Sequence, residues 1–139
     1  MMYQDLDEYA LKKLAAKIAS RTFAPHVILL KGDLGAGKST FARAFIQALT
    51  TEETIVPSPT FTLVQEYQSR HGNIAHFDLY RIQQEEELLE IGIEDYLAHS
   101  LCLIEWPEKL QSLLPRVFTA IHIRENTKNT RDIEVTECP

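Results

Sequence analysis

Cysteine is nearly absent. Cys102 and Cys138 are the only two, too few for a disulfide framework and without the paired spacing of a metal cluster. Cys102 lies inside an apolar run and reads as a core residue, Cys138 as an exposed thiol of the tail. Long apolar stretches are also missing. No uninterrupted run exceeds four residues, against about 20 for a membrane-spanning helix. The first ten residues are polar and acidic, where a secretory signal would be basic and then apolar. The expectation is a cytoplasmic protein with no membrane segment. Basic charge is in deficit: 14 Lys and Arg are scattered among 20 Asp and Glu, for a net charge of −6. A chain that held RNA or DNA by itself would show a basic face, so autonomous nucleic-acid binding is not expected. No Pro/Gly/Ser-rich or charged block divides the 139 residues, a length typical of one domain, and a single domain over 1–139 is expected.

What is present is ordered by period. Leu11, Leu14, Ala15 and Ile18 recur at helical spacing, which predicts an amphipathic helix over 7–20. Pro25 bars its continuation. The run Val27-Ile28-Leu29-Leu30 shows no alternation, as in a strand buried on both faces. Phe41, Ala44, Phe45, Ala48 and Leu49 then predict a helix over 38–49. A loop follows over 50–59. Alternation over 61–68 and 74–79, around a turn at 70–73, predicts an antiparallel hairpin. Short helices are expected over 85–91, with Gly92 as the stop, and near 95–98. Leu101-Cys102-Leu103-Ile104 is a second buried run, and 117–123 with 131–135 read as a closing hairpin. The fold class is therefore α/β, a central mixed sheet with parallel strands and an antiparallel extension, covered by helices in three layers.

The octet Gly32-Asp33-Leu34-Gly35-Ala36-Gly37-Lys38-Ser39 matches the phosphate-binding loop G-x-x-x-x-G-K-[ST] at every fixed position. Glycines let successive N–H groups turn inward around a phosphate, and the positive end of the following helix, opening at Lys38, Ser39 and Thr40, adds to the attraction. Lys38 reaches the β- and γ-phosphates in such a loop, and the Ser39 hydroxyl ligates Mg²⁺. A random chain of this length would match about 0.005 times. The loop also lies between an apolar strand and an amphipathic helix, as the motif requires.

Phosphate-loop enzymes place an acid at the end of a neighbouring strand. Glu105 ends the second buried run and is the preferred metal residue. Asp78 ends a strand whose alternation fits a half-covered antiparallel position, and is expected to face the phosphates. It shares a strand face with His76, a pair read as structural rather than as zinc ligands. Pro57-Ser58-Pro59-Thr60 presents two hydroxyls on a restricted backbone, compatible with a γ-phosphate sensor or with an ordinary loop. Trp106 is compatible with a place near the nucleotide or with packing. Glu85-Glu86-Glu87 reads as a solvated helix face, with an acidic contact surface for a basic partner as the sharper alternative.

Gly-Asp-Leu-Gly-Ala-Gly-Lys-Ser-Thr at 32–40, Ser-Pro-Thr-Phe-Thr-Leu-Val at 58–64, His-Phe-Asp-Leu-Tyr-Arg at 76–81 and Ile-Glu-Trp-Pro-Glu at 104–108, with Gly-Ile-Glu-Asp-Tyr at 92–96, together resemble the TsaE (YjeE) family. These are bacterial ATPases that assist synthesis of threonylcarbamoyladenosine beside the anticodon of certain tRNAs. The resemblance implies an ATP-hydrolysing, Mg²⁺-dependent subunit that docks on the TsaB–TsaD assembly and supports its repeated turnover, touching tRNA only through that assembly and monomeric by itself. It implies that Lys38 and the loop at Asp33, Leu34, Gly35, Ala36, Gly37, Ser39 and Thr40 hold the nucleotide, and that Ser39 and Glu105 coordinate Mg²⁺. By the same resemblance Thr60 and Asp78 take the switch and catalytic positions, Trp106 is the nucleotide-sensitive tryptophan, and Glu8 and Arg131 make peripheral nucleotide contacts. Many members have threonine where Ser39 stands; serine keeps the hydroxyl. The residues alone leave open a small-molecule kinase, for which the short segments after Asp78 offer little room for a lid, and a nucleotide-controlled binding module. A GTPase lacks support, since no Asn-Lys-x-Asp segment is present.

Overall fold

The computed structural model describes residues 1–59 and 62–139. Asp7 accepts the Ala10 N–H at 2.8 Å and caps helix α1, Glu8–Ser20, which buries Leu11, Leu14, Ala15, Ile18 and Ala19. Strand β2, His26–Lys31, leads through the phosphate loop into α2, Lys38–Leu49, whose Phe41, Ala42, Phe45, Ile46 and Leu49 are buried. Strands β3, Val64–Ser69, and β4, Gly72–Asp78, form the expected hairpin. Phe61, expected to open β3, lies outside the described residues. Helices α3, Glu85–Glu90, and α4, Ile93–His99, precede β5, Leu101–Glu105. Strands β6, Phe118–Glu125, and β7, Arg131–Cys138, make the closing hairpin.

Two elements lie outside the sequence expectation. Strand β1, Met2–Leu6, pairs antiparallel with β7 through an irregular register between Tyr3 and Leu6. A 3₁₀ segment, Pro107–Leu113, follows β5 and is broken at Gln111. The sheet order is β1-β7-β6-β2-β5-β4-β3, with β6, β2, β5 and β4 parallel to one another and antiparallel pairs at both edges. Burial on both faces explains the unbroken apolar runs of β2 and β5. On one face α1 and α2 pack over Ile28, Leu30, Ile74, Leu101, Leu103 and Ile121; on the other, α3, α4 and the 3₁₀ segment cover Val27, Leu29, Phe77, Cys102 and Ile104.

The structure corrects three expectations. Strand β4 is not half-covered: every residue from Ile74 to Asp78 is buried, because β4 sits between β3 and β5 under helices on both faces. Its polar members His76 and Asp78 alternate with Ala75 and Phe77, so they share the α2 face with Ile74. Cys138 is not an exposed tail thiol but the half-buried last residue of β7. Charge is also segregated rather than scattered. Residues 82–115 hold eight of the 20 acids and one of the 14 Lys and Arg, so this stretch carries −7 and the remainder of the chain +1. Cys102 is buried as expected, and burial pushes its thiol up to about 12. Among the described residues no helix is long and apolar enough to cross a membrane.

Candidate nucleotide and metal site

The loop between β2 and α2 is shaped by its glycines and by β6. Gly32 has φ 149°, and a Cβ there would lie 2.5 Å from the Ile123 carbonyl oxygen, so the chain passes too close to β6 for any side chain. The Ala36 N–H donates to the Asp33 carbonyl at 3.0 Å and closes the turn. Gly37, at φ 116°, then enters α2 in a conformation that a side chain rarely adopts. Arg131 clips the loop from outside: its Nε donates to the Ala36 carbonyl at 2.6 Å, and its guanidinium lies 3.6 Å from Glu125.

Lys38 is only 5% exposed, unusual for a lysine. Its Nζ donates to the Gly32 carbonyl at 2.6 Å and stands 3.6 Å from the centroid of the Trp106 ring, a cation–π contact. Burial lowers its pKa from the usual lysine range, and Glu105, Glu108, Asp78 and Asp33 oppose that shift. The cation is therefore held in the field of surrounding carboxylates, Glu105 first among them. Trp106 reaches it from a left-handed backbone at φ 60°, and its ring also meets Tyr80 at 5.0 Å.

The two candidate acids are brought together by strand register. Leu30 pairs with Glu105, and Glu105 with Asp78, so Glu105 lies beside the strand that feeds the loop and Asp78 one strand further out at the same level. Both are buried. Asp78 Oδ1 accepts the Tyr80 N–H at 3.0 Å. Glu105 Oε2 accepts from His76 Nε2 at 2.7 Å. The sequence placed His76 beside Asp78 on one strand; its hydrogen-bond partner is across the sheet. His122 and Arg124 were not singled out from the sequence, yet with Asp33 and Leu34 they line a cavity of about 620 Å³ on one flank of the loop.

Ser39 is exposed on the first turn of α2, with Thr40 half-buried beside it; Asp33, Leu34 and Gly35 are exposed and Ala36 is buried. Glu8 and Arg131, distant in sequence, line one cavity of about 340 Å³ with Leu6, Gly37, Thr40 and Asn129. The acidic run is put to local use. Glu87 caps the start of α3, and Glu85 accepts a hydrogen bond from the Ser112 hydroxyl, leaving Glu86 exposed. Thr60 lies outside the described residues; Ser58 and Pro59, just before it, are within them. A separate cavity of about 580 Å³, between Phe23, His26, Val117 and Cys138, opens at the start of β2, the opposite end from the loop. Ligands of open α/β sheets bind at the strands' carboxyl ends, which favours the loop.

The family model described as "Threonylcarbamoyl adenosine biosynthesis protein TsaE" matches residues 6–133. The tRNA threonylcarbamoyladenosine biosynthesis protein TsaE of Rickettsia bellii is 42% identical over 110 residues, covering 78% of this chain and 76% of the relative. The protein of the same name from Haemophilus influenzae is 40% identical over 135 residues, covering 93% and 84%. The crystal structure of Bacillus subtilis YdiB superposes with a TM-score of 0.80 at 27% identity, covering all of this chain and 86% of that one.

Proposed function

The chain belongs to the TsaE family of tRNA threonylcarbamoyladenosine biosynthesis proteins, and on that premise we propose that it is a Mg²⁺-dependent ATPase. In this reading it acts in the cytoplasm as one catalytic domain, serving the TsaB–TsaD assembly that modifies tRNA. The observation that carries the reading is the convergence of the phosphate loop, the buried Lys38 and two strand-end carboxylates on one end of the sheet. A phosphate-binding loop alone would serve many functions; the adjacent acids are what hydrolysis adds.

The donors fit magnesium. Ser39 and Glu105 offer a hydroxyl and a carboxylate, hard oxygens, and Glu105 Oε1 takes no hydrogen bond among the described residues. No group of three His, Cys, Asp or Glu side chains gathers as a cage among them either. That matches an ion held by one or two protein oxygens together with substrate phosphates and water. When bound, Mg²⁺ neutralises charge developing on the β- and γ-phosphates. Lys38 leaves the Gly32 carbonyl and the Trp106 ring to meet the same oxygens, and the loop amides surround the β-phosphate. Asp78 orients the attacking water for in-line displacement. Thr60 belongs to the switch that senses the γ-phosphate. Arg131 and Glu8 flank the cavity beside Gly37 and Thr40, and in this reading they contact the nucleoside end.

The acidic half of the molecule supplies the docking face. An acidic protein serves tRNA modification when a basic partner holds the RNA, and α3, α4 and the 3₁₀ segment present their negative surface next to the site. Steady-state ATP hydrolysis, with and without TsaB–TsaD, beside a multiple-turnover tRNA modification assay, tests the whole reading. Slow hydrolysis by the free protein and at least tenfold acceleration by the complex are expected. Equal rates would sink the partner assignment, and strict dependence on a small phosphoryl acceptor would sink the ATPase.

A further inference from the structure

The His76–Glu105 pair is not accounted for by any role assigned above. His76 is 1% exposed and Glu105 3%, and their hydrogen bond is 2.7 Å long. The carboxylate only accepts, so Nε2 carries the proton. The other ring nitrogen, Nδ1, is buried and has no hydrogen-bond partner among the described residues. An imidazole that satisfies Glu105 while its own second nitrogen stays unsatisfied is a costly way to stabilise a sheet. On the same face His76 has apolar neighbours in Ile74, before it on β4, and Leu103, paired with it on β5, and polar ones in Asp78, after it, and Gln65, paired with it on β3. The histidine therefore stands where the face passes from the apolar core to the acidic end of the sheet.

What it does is fix one carboxylate oxygen. Glutamate has three rotatable side-chain bonds, and Asp78, its register partner across β4 and β5, is a like charge on the same face. Without a tether the Glu105 carboxylate would swing towards Lys38 or away from Asp78. The Nε2–H bond takes Oε2 and leaves Oε1 without a hydrogen bond among the described residues. We propose that His76 is a positioning residue that sets the Glu105 carboxylate for Mg²⁺, acting on the metal only through that hydrogen bond. The proposal rests on the assignment of Glu105 to the metal. Outer partners of this kind change metal affinity about 10- to 100-fold when removed.

The test measures ADP binding by calorimetry across a Mg²⁺ titration, and again in EDTA, for His76→Gln, His76→Asn, His76→Leu and Glu105→Gln, each alone, and for His76→Asn combined with Glu105→Gln. The glutamine amide nitrogen reaches about as far as imidazole Nε2; the asparagine nitrogen falls short. His76→Asn and His76→Leu are expected to raise the Mg²⁺ midpoint at least tenfold while affinity in EDTA stays within about twofold. His76→Gln should remain near the parent, and His76→Asn should add nothing once Glu105 is Gln. A purely packing role would move melting temperature without this metal-specific split. Unchanged midpoints in His76→Asn and His76→Leu, or additive effects in the double variant, overturn the positioning role alone. An unchanged midpoint in Glu105→Gln overturns the metal assignment, and the role of His76 with it. If the asparagine and leucine variants do not fold, His76→Gln decides: a parent-like midpoint supports the tether and a tenfold rise overturns it.

Discussion

Lys38 is charged, buried and parked. Its ammonium rests between the Gly32 carbonyl and the Trp106 ring, 2.6 Å and 3.6 Å away, so binding a phosphate means exchanging those contacts for stronger charged ones. Trp106 is the only tryptophan in the chain, which makes the exchange visible. Removing a cation from the face of the indole changes its emission, so ADP should shift Trp106 fluorescence. Lys38→Ala should shift the resting signal in the same direction and abolish the response to ADP. The same variant should weaken ADP by about 2–3 kcal/mol, the worth of charge-assisted hydrogen bonds, and eliminate turnover. An unaltered fluorescence response in Lys38→Ala would show that Trp106 senses something other than this lysine. The left-handed backbone of Trp106 costs about 1–2 kcal/mol for a residue with a side chain, a cost consistent with placing the ring over the loop.

The loop and its flanking elements show how much local sequence determines. Helix α2 begins and ends at the residues its period indicates, Lys38 and Leu49, since an apolar stripe and a glycine-rich entry leave few alternatives. Strands β2 and β5 were equally legible, because burial on both faces requires unbroken apolar runs. Strand β1 was not. Tyr-Gln-Asp has no apolar period, Asp5 adopts a positive φ of 56°, and the pairing with β7 is irregular, so only the partner strand makes it a strand. The His76–Glu105 bond was hidden for a related reason: it depends on the register of β4 against β5, set across the intervening helices α3 and α4. The register also explains how Asp78 and Glu105, considered separately as competing acids, come to lie side by side. Two glycines of the loop allow a contrast. Gly32→Ala forces a methyl onto the Ile123 carbonyl and should cost about 2–4 kcal/mol. Gly35→Ala, with nothing within 4 Å of its Cβ but a φ of 83°, should cost only about 1–2 kcal/mol. Urea unfolding of both variants measures the difference, and equal losses would mean that close approach to β6 does not matter.

At the scale of the molecule, acid stability turns on two partly buried histidines on neighbouring strands of the sheet. His26, at the start of β2, is bonded to the Thr119 hydroxyl at 2.8 Å, and burial lowers its pKa below the ordinary 6.5, with Glu137 opposing. His122 is lowered likewise, first by burial and then by Arg124 and Lys31. A base whose pKa is lower folded than unfolded binds more protons when unfolded, so stability is fully present above about pH 6.5 and declines as pH falls below it. Melting temperature should therefore drop between pH 7 and pH 5, and His26→Gln should flatten part of that drop; an unchanged profile would mean that His26 protonates without penalty.

The proposed docking would draw on the acid-rich stretch. The −7 carried by residues 82–115 against +1 elsewhere gives the molecule an acidic end, and Leu89 and Leu114, 45% and 44% exposed, lie on the segments that carry it. Glu86, Glu90 and Glu94 are exposed and lie apart from the loop acids. Exposed charge pairs are worth about 0.2–1 kcal/mol each, so reversing three of them to lysine should weaken binding to TsaB–TsaD by about 3- to 150-fold. Most of the loss should appear in the association rate and shrink as salt is raised. ATP hydrolysis by the free triple variant should match the parent, because none of the three side chains belongs to the nucleotide site. Stopped-flow association at 50 mM and 500 mM salt, roughly 14 Å and 4 Å of Debye length, separates the outcomes. A parent-like association rate at low salt would remove the acidic face from the docking surface while leaving the nucleotide site as described.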